Sequence, residues 1–298
     1  MISKKIKILR KEAKMSQEFL ADQLNVSRQA VTKWETGVGT PDVGNLMAIA
    51  KLFQISVDEL LGSDYRGNTK EDFLFESITE YDIDETKDYD IRLMNSRYTG
   101  LFGYQGEKIK IRLASNKISD IQSAFKVKLD DIKNRLDIDV KRMGDINETL
   151  EKTDLYIFIY LPLELTDHVE IKGNTKMLEI NKVNAEGVEV SGKVNKASIM
   201  NLWSHIEMDS NEDMEIRCNH FTGGLDINQI AATSRLYLPS KTDFLAVSKG
   251  LGNSISYERQ GEIVKASRLE EKRTKADLMV ELNGVKSKLV IITEAPTV

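Results

Sequence analysis

The sequence has only one cysteine, Cys218, among its 298 residues. A single cysteine cannot form a disulfide bond within the chain, and this scarcity is typical of a reducing compartment. The longest apolar stretch, residues 155–165, is interrupted by Pro162 and Glu164 and is far shorter than the roughly 18 apolar residues of a membrane-spanning helix. Residues 1–14 are basic and lack the apolar segment of a secretory signal peptide. These absences predict a cytoplasmic protein with no membrane partner.

Motifs of catalysis are also missing, since the sequence has no Ser-His-Asp order, phosphate-binding loop or zinc motif. His205, Cys218 and His220 offer three metal ligands, but they lack the paired spacing of zinc sites. We therefore predict no catalytic residue, no metal and no cofactor. The alternative is a carbohydrate-active enzyme, which would rest on fold class alone.

The chain has no overall excess of positive charge. Its net charge is −5, with 41% hydrophobic and 30% charged residues, as in ordinary globular proteins. The charge is unevenly distributed, however. The segment 1–62 contains nine basic and seven acidic side chains and so carries +2, which leaves −7 for the remainder. A basic end on an acidic protein is compatible with local contact to a nucleic acid.

Helix signals are dense in the segment 1–62. Ser16, Ser27, Asp42 and Ser56 are residue types that favour helix N-caps, and each precedes apolar residues at helical spacing. They predict an all-α, five-helix domain with helices at about 2–13, 16–24, 27–36, 42–53 and 56–61. Only Asn25 and Val26 separate the second and third helices, and asparagine tolerates the left-handed conformation of a tight turn. This spacing predicts a helix-turn-helix.

The third predicted helix has a narrow apolar side and a broad polar side. Ala30, Val31 and Trp34 face inward at about 100° per residue. The polar side holds the candidate base-contacting residues Arg28, Gln29, Thr32 and Lys33. Arginine can bind guanine O6 and N7, glutamine can bind adenine N6 and N7, a threonine methyl can touch thymine, and lysine can reach guanine or phosphate. The alternative is a polar, solvent-facing helix in a small bundle.

Residues 3–62 resemble the Cro and lambda-repressor type of helix-turn-helix, the xenobiotic-response-element family of transcriptional regulators. The matching stretches are LRKEAKMSQEFLADQLNVSRQAVTKWETG and TPDVGNLMAIAKLFQISVDELL. Asn25 stands where that family usually has glycine. The resemblance implies that the third helix is the recognition helix. It also implies a structural ion pair between Arg10 and Glu35, which braces the first helix against the third.

The same resemblance implies contacts to DNA phosphates and a symmetric partner. Gln17 and Ser27 lie at helix starts, where side chains and free N–H groups hold phosphates, and Thr36 lies on the same polar side as the base-contacting residues. Regulators of this type usually bind inverted half-sites as dimers. We therefore predict a homodimer on double-stranded DNA with an inverted-repeat operator. The predicted function is that of a sequence-specific transcriptional regulator, interpreted as a repressor.

A polar stretch with two glycines follows at residues 62–72 and predicts a linker. We place the linker at residues 63–80 and interpret its apolar residues, Phe73, Leu74, Phe75 and Ile78, as a short docking segment. From about residue 81 the apolar period changes from helical to alternating, which predicts a mainly β domain over residues 81–298. The clearest strands are predicted at 108–115, 125–131, 135–142 and 154–162.

The middle of this domain, residues 169–239, repeats with a short and nearly constant period. Four repeats begin with an apolar, an acidic and an apolar residue, and they start at Val169, Val188, Ile206 and Leu225. A fixed period of this length favours a β-solenoid, whose stacked coils bury apolar rows. The alternative is an antiparallel sandwich with two strands per repeat, which periodicity does not distinguish from a solenoid.

Residues 81–298 also resemble the adhesin-like β-solenoid domains of many bacterial proteins. The shared features are strand patterns, Leu-Pro steps within residues 160–165 and 238–239, and short repeats with glycine and asparagine at corners. The resemblance implies no catalytic role. We expect this domain to serve oligomerisation, sensing of an unknown effector or binding of a protein partner. A DNA-tethered scaffold is the alternative.

Two further patterns have both a functional and a structural interpretation. Glu170, Glu189, Glu207 and Asp226 occupy the same place in successive repeats. They form either a ladder that binds cations or a basic partner, or a solvated face whose charges neighbouring lysines balance. The stretch RYTGLFGYQG, residues 97–106, is either a ligand loop or a turn or bulge in a sheet.

Overall fold

A computed structural model describes residues 2–13, 15–53, 73–144, 146–259, 262–265 and 276–294. The chain divides into two compact units, Met1–Lys70 and Glu71–Val298. The first is helical and the second is mainly β, as the change of apolar period predicts. Within the described ranges, every helix is too short or too polar to cross a membrane.

The described part of the first unit has four helices: α1 (Ile2–Glu12), α2 (Gln17–Gln23), α3 (Arg28–Thr36) and α4 (Val43–Leu52). Helices α2, α3 and α4 begin after the predicted N-caps. The side chains of Ser16, Ser27 and Asp42 accept backbone N–H groups three residues later at 3.0, 3.2 and 2.8 Å. Each bond satisfies a donor that a helix start leaves free. The predicted fifth helix, residues 56–61, lies outside the described residues.

The turn between α2 and α3 has the backbone that its sequence predicts. Asn25 adopts a φ of +53°, and Gly37 ends α3 with a φ of +77°, both in the left-handed region. Below the turn, Val31 and Trp34 of α3 are buried against Leu20 of α2. The turn between α2 and α3 therefore lies on an apolar core to which both helices contribute.

The described part of the second unit has sixteen strands and two short helices, α5 (Ile121–Ala124) and α6 (Glu148–Asp154). The strands are β1 (Phe75–Asp82), β2 (Lys87–Tyr104), β3 (Lys108–Ser115), β4 (Phe125–Ile132), β5 (Arg135–Arg142), β6 (Tyr156–Pro162), β7 (Thr166–Asn181), β8 (Gly187–Ser191), β9 (Val194–Asp209), β10 (Met214–Ile230), β11 (Thr233–Pro239), β12 (Phe244–Ser248), β13 (Ser254–Arg259), β14 (Glu262–Lys265), β15 (Leu278–Val285) and β16 (Lys288–Glu294). Strands β3 to β6 lie where the alternating patterns predict them.

The last part of the predicted linker belongs to the sheet. Strand β1 begins at Phe75 and pairs antiparallel with β3, whereas residues 63–72 lie outside the described part of the chain. Phe73 is buried, and its ring lies 4.6 Å from that of Tyr156 and 6.0 Å from that of Phe158. The segment interpreted as a docking segment therefore packs on the β unit.

The predicted repeats stack as parallel strands. Val169 pairs with Val188, Val188 with Ile206, and Ile206 with Leu225, which is the register of the repeat alignment. All four side chains are buried. The antiparallel sandwich is therefore wrong for residues 169–239, because strands β7 to β11 pair in parallel.

Strands β7, β9 and β10 are long because each contributes to two parallel stacks. The first half of β7 pairs with β8, and its second half pairs with the first half of β9. Asn201 within β9 and His220 within β10 adopt φ values of +52° and +50°, which turn each strand from one stack to the other. Apolar side chains of both stacks share one core.

The C-terminal strands insert between strands that precede them in the chain. Strand β15 pairs in parallel with β10 on one side and β12 on the other. Strand β16 lies in the same way between β11 and β13. The apolar side chains of Leu278, Val280 and Leu282 are fully buried. This insertion is not predicted by the sequence periods.

Most of the RYTGLFGYQG stretch is strand, so the ligand-loop interpretation is wrong for residues 97–104. These residues form the end of β2, and the rings of Phe102 and Tyr98 lie over Gly100. A Cβ at Gly100 would lie 2.3 Å from the Phe102 ring. The glycine is therefore required because aromatic side chains occupy the space above it.

Candidate nucleic-acid interface

Helix α3 is nine residues long and presents two different sides. Val31 is completely buried and Trp34 is 6% exposed. The five polar positions Arg28, Gln29, Thr32, Lys33 and Thr36 are all exposed. At 3.6 residues per turn, these five positions span about 140° of the helix circumference. The helix therefore offers one continuous polar surface opposite its core side.

Three of these polar side chains have no partner within the described residues. Arg28, Gln29 and Lys33 make no side-chain hydrogen bond or ion pair with any residue that the structure describes. Their donors, and the acceptor of Gln29, are available to an external ligand. Arginine and glutamine are also the side chains with bidentate matches to guanine and adenine.

The Thr32 hydroxyl is turned back toward protein. Its single hydrogen has two acceptors, the Arg28 carbonyl at 3.0 Å and the Gln17 side-chain oxygen at 3.3 Å. A hydroxyl held in this way leaves its methyl group for apolar contact, as with a thymine methyl. Thr32 is thus placed to contribute apolar contact more than a hydrogen bond.

Arg10 of α1 and Glu35 of α3 form a bidentate ion pair. Arg10 donates from Nε to Glu35 Oε1 at 2.6 Å and from Nη2 to Oε2 at 3.0 Å. A third donor, Arg10 Nη1, reaches the Met15 carbonyl at 2.8 Å. Glu35 is only 7% exposed. The pair therefore links the two helices from within the unit rather than from its surface.

Gln17 joins this network, a role that the sequence pattern did not predict. Its amide nitrogen donates to Glu35 Oε2 at 2.8 Å, and its amide oxygen accepts from Thr32 Oγ1. A glutamine amide has two hydrogens, so one remains for a phosphate. The only sequence signal for this role was the position of Gln17 at the start of α2.

Charges in this network are balanced. Burial alone would raise the pKa of Glu35, but the hydrogen bonds from Arg10 and Gln17 and the charge of Arg10 outweigh it, so the pKa is lowered. The hydrogen bond to Glu35 raises the pKa of Arg10 in return. The carboxylate is therefore ionised and neutralised next to the polar surface, where a free anion would repel phosphate.

Ser27 and Thr36, the two remaining candidates for phosphate contact, differ in whether the hydroxyl hydrogen is already donated within the protein. Ser27 Oγ accepts the Ala30 N–H as an N-cap, which leaves its own hydrogen to donate. The Thr36 hydroxyl already donates to the Thr32 carbonyl at 2.8 Å. A phosphate contact from Thr36 would require its hydroxyl to break that bond.

The three metal-ligand candidates of the β unit are not brought together. Cys218 is buried and stacks on Ile199, which stacks on Ile180, whereas His205 and His220 are exposed. Burial raises the pKa of the Cys218 thiol. Across the described ranges, no three His, Cys, Asp or Glu side chains are placed to hold one metal ion.

The carboxylate row of the repeats is present and is paired with donors. Glu170, Glu189, Glu207 and Asp226 lie in register on adjacent strands, and the row continues to Asp90 and Glu281. Glu170 is paired with Lys172 at 2.6 Å, and Glu189 is paired with His168 at 3.2 Å. Glu207 accepts a hydrogen bond from Asn228 at 2.5 Å, and Asp226 is paired with His205 at 3.3 Å. These donors offset the repulsion within the row, which favours the interpretation as a balanced outer face.

A family model described as Helix-turn-helix matches residues 6–60. The chain is also 34% identical over 79 residues to the cryptic phage CTXphi transcriptional repressor RstR of Vibrio cholerae, a match that covers 26% of this chain and 70% of that repressor. The chain belongs to the helix-turn-helix family.

Other relatives of this helix-turn-helix protein match a similar share of the chain. The HTH-type transcriptional activator BcrR of Enterococcus faecalis is 44% identical over 62 residues, which is 21% of this chain and 30% of BcrR. The HTH-type transcriptional regulator YqaE of Bacillus subtilis is 38% identical over 61 residues, covering 20% of this chain and 53% of YqaE. This chain therefore spans less than two thirds of the length of both proteins.

Solved structures similar to the helix-turn-helix protein match a much larger share of the chain. A candidate cell adhesion protein from Clostridium sporogenes covers 74% of this chain and 99% of its own, with a TM-score of 0.41 and 14% identity. A candidate adhesin from Bacteroides fragilis covers 73% and 97%, with a TM-score of 0.23 and 10% identity.

Proposed function

We propose that this chain is a sequence-specific, DNA-binding transcriptional regulator that reads DNA with helix α3. In this proposal Arg28, Gln29, Thr32 and Lys33 contact base edges in the major groove. Gln17, Ser27 and Thr36 contact phosphates, and Arg10 and Glu35 hold α1 and α3 in place. The helix-turn-helix relatives, which include a named repressor and a named activator, support regulation of transcription. Of the two directions, we propose repression.

The observation that carries this proposal is the free polar surface of α3. Three exposed side chains with base-reading chemistry have no partner in the described part of the chain. Glu35, the carboxylate of the same helix, is buried, paired with Arg10 and hydrogen-bonded by Gln17. These side chains therefore leave the polar surface of α3 open to a ligand, with the negative charge of Glu35 balanced by Arg10.

Affinity and symmetry support a dimer on an inverted-repeat operator. One recognition helix offers few base contacts, each contributing about 1–3 kcal/mol of discrimination. Dimers of helix-turn-helix proteins double this number on half-sites about one helical turn apart. We propose that residues 1–62 supply the DNA-binding module of each protomer.

We propose that the β unit, residues 81–298 with β1, is a β-solenoid. The support is the parallel register across β7 to β10, in which each position pairs with the equivalent position of the next repeat. A rigid stack of this kind suits oligomerisation, effector sensing or partner binding, and these are its proposed roles. A cytoplasmic location is proposed with the DNA-binding role.

Selection of bound fragments from genomic DNA, followed by footprinting, tests the proposal. We expect one preferred inverted repeat, and we expect Arg28→Ala and Gln29→Ala to lose preference at separate base pairs. Lys51→Ala removes an exposed charge from the end of α4 and serves as the matched control with an unchanged footprint. A footprint that is identical in the wild type and in both α3 variants would refute the assignment.

A further inference from the structure

The β unit has one conspicuously exposed aromatic side chain. Trp203 in β9 is 81% exposed, the highest value among the large apolar side chains of the described residues. Its neighbours Leu202 and Ser204 are buried, at 4% and 8%. The strand alternation therefore places the indole outward. Tryptophans in contact with water are typical of binding surfaces, because one large rigid ring can bury much area at little entropic cost.

Trp203 lines a cavity of about 520 Å³ on this face, a size in the range of small-molecule sites. The next strand contributes glycines to the cavity. Gly223 pairs with Ser204 and Gly224 pairs with His205. A Cβ on Gly223, whose φ is +118°, would lie 2.1 Å from the Ser204 carbonyl oxygen, and one on Gly224 would lie 2.1 Å from His205 Nδ1. Both positions therefore require glycine, and the two glycines add no side chain to the cavity lining.

The cavity has one carboxylate, Glu186, which is exposed. Its side chain makes no ion pair or hydrogen bond with any residue in the described ranges. The carboxylates of the repeat row differ from Glu186 in this respect, because Glu189 and Asp226 are paired with His168 and His205. Glu186 thus has no partner among the described residues and lines the same cavity as the exposed indole.

We propose that this cavity, defined by Glu186, Trp203, His205, Gly223 and Gly224, binds an organic cation of the guanidinium or quaternary ammonium class. A cation over an indole face is attracted by the ring quadrupole, and a carboxylate at the rim adds a counter-charge. A neutral sugar could stack on the same ring but would not require the charge of Glu186. The proposal does not depend on DNA binding.

Fluorescence titration of the full chain tests this site. The chain has two tryptophans, so a Trp34→Phe variant leaves Trp203 as the only reporter. Tetramethylammonium, agmatine and an end-blocked Gly-Arg-Gly peptide are the ligands, with sodium chloride at equal ionic strength as the salt control. We expect saturable changes with the cations and none with sodium. Tighter binding of agmatine than of the peptide would identify a free small-molecule cation as the source, and the reverse would identify an arginine side chain of a protein.

Variants distinguish a cation site from a site for neutral ligands. With calorimetry as the readout, Trp203→Ala should weaken binding by about tenfold, and Glu186→Gln by about three- to fivefold. Glu107→Gln removes an exposed carboxylate from the β2–β3 turn and should leave affinity unchanged. Circular dichroism confirms that each variant is folded. Equal affinity in the wild type and Glu186→Gln, or binding of a neutral disaccharide in place of the cations, would overturn the proposal.

Discussion

Gln17 of α2 donates a hydrogen bond to Glu35 of α3 at 2.8 Å and accepts one from Thr32 at 3.3 Å. One side chain therefore connects the buried Arg10–Glu35 pair to the exposed polar surface of α3. Removal of the Gln17 side chain should therefore lower both the stability of the helical unit and its affinity for DNA.

We expect Gln17→Ala to destabilise the helical unit by about 1–2 kcal/mol, because Glu35 loses a hydrogen bond in a buried environment. Trp34, which is 6% exposed, reports on this unit during urea unfolding in a Trp203→Phe background. Binding to operator and non-operator DNA should weaken to the same extent, since a phosphate contact carries no sequence information. Gln23→Ala, exposed on the same helix, is the control. Loss of preference for the operator alone would contradict this role.

The Arg10–Glu35 pair predicts a dependence of stability on pH. The folded-state pKa of Glu35 is lowered. Its contribution to the free energy of unfolding is therefore complete above the unfolded-state pKa of about 4.3 and is lost as the pH falls through the folded-state value. We expect Glu35→Gln to remove this part of the acid destabilisation, as measured by Trp34 fluorescence across the acidic range.

Arg10→Ala should cost about 3 kcal/mol at neutral pH, because it leaves a buried carboxylate without its cation. Lys11→Ala, an exposed neighbour, should change stability little. If Glu35→Gln kept the full acid dependence of the wild type, other carboxylates would have to account for it.

The sequence predicts those helices and strands whose formation depends on residues close together in the chain or on a regular apolar period. Ser16, Ser27 and Asp42 cap helices because their oxygens accept nearby N–H groups, and the repeat beginning at Val169 stacks because its apolar period matches the strand register. The sequence left the place of Cys218 open, and the register places it on Ile199 in the core. The partners of Gln17 could not be predicted, because they depend on side chains 15 and 18 residues away.

The position of Cys218 leads to a third prediction. Cys218→Ser should destabilise the β unit by about 1–3 kcal/mol, because it buries a hydroxyl among apolar side chains. Cys218→Val keeps the apolar contact with Ile199 and should cost less. Urea unfolding followed by circular dichroism measures the difference. The wild-type thiol, buried and with a raised pKa, should react with a thiol reagent only after unfolding. Rapid reaction in the native state would show that the site is open.

The insertion of β15 between β10 and β12 leads to the last prediction. Because β12 pairs with β15 and β15 with β10, β12 is joined to the parallel stack through a strand that follows it in the chain. Leu282→Ala removes a fully buried side chain from β15 and should cost about 2–5 kcal/mol. Hydrogen exchange should then accelerate in residues 244–248 and 278–285, while residues 169–171 and 188–190 remain protected.

Asn283→Ala is the control for this experiment, since Asn283 is only half-buried and its side chain donates to Asn228 rather than to the core. Exchange in β12 should stay slow in this variant. If β12 also kept its protection in Leu282→Ala while β15 lost its own, the docking of β12 would not depend on β15. Contacts of β12 other than its pairing with β15 would then have to hold it in the β unit.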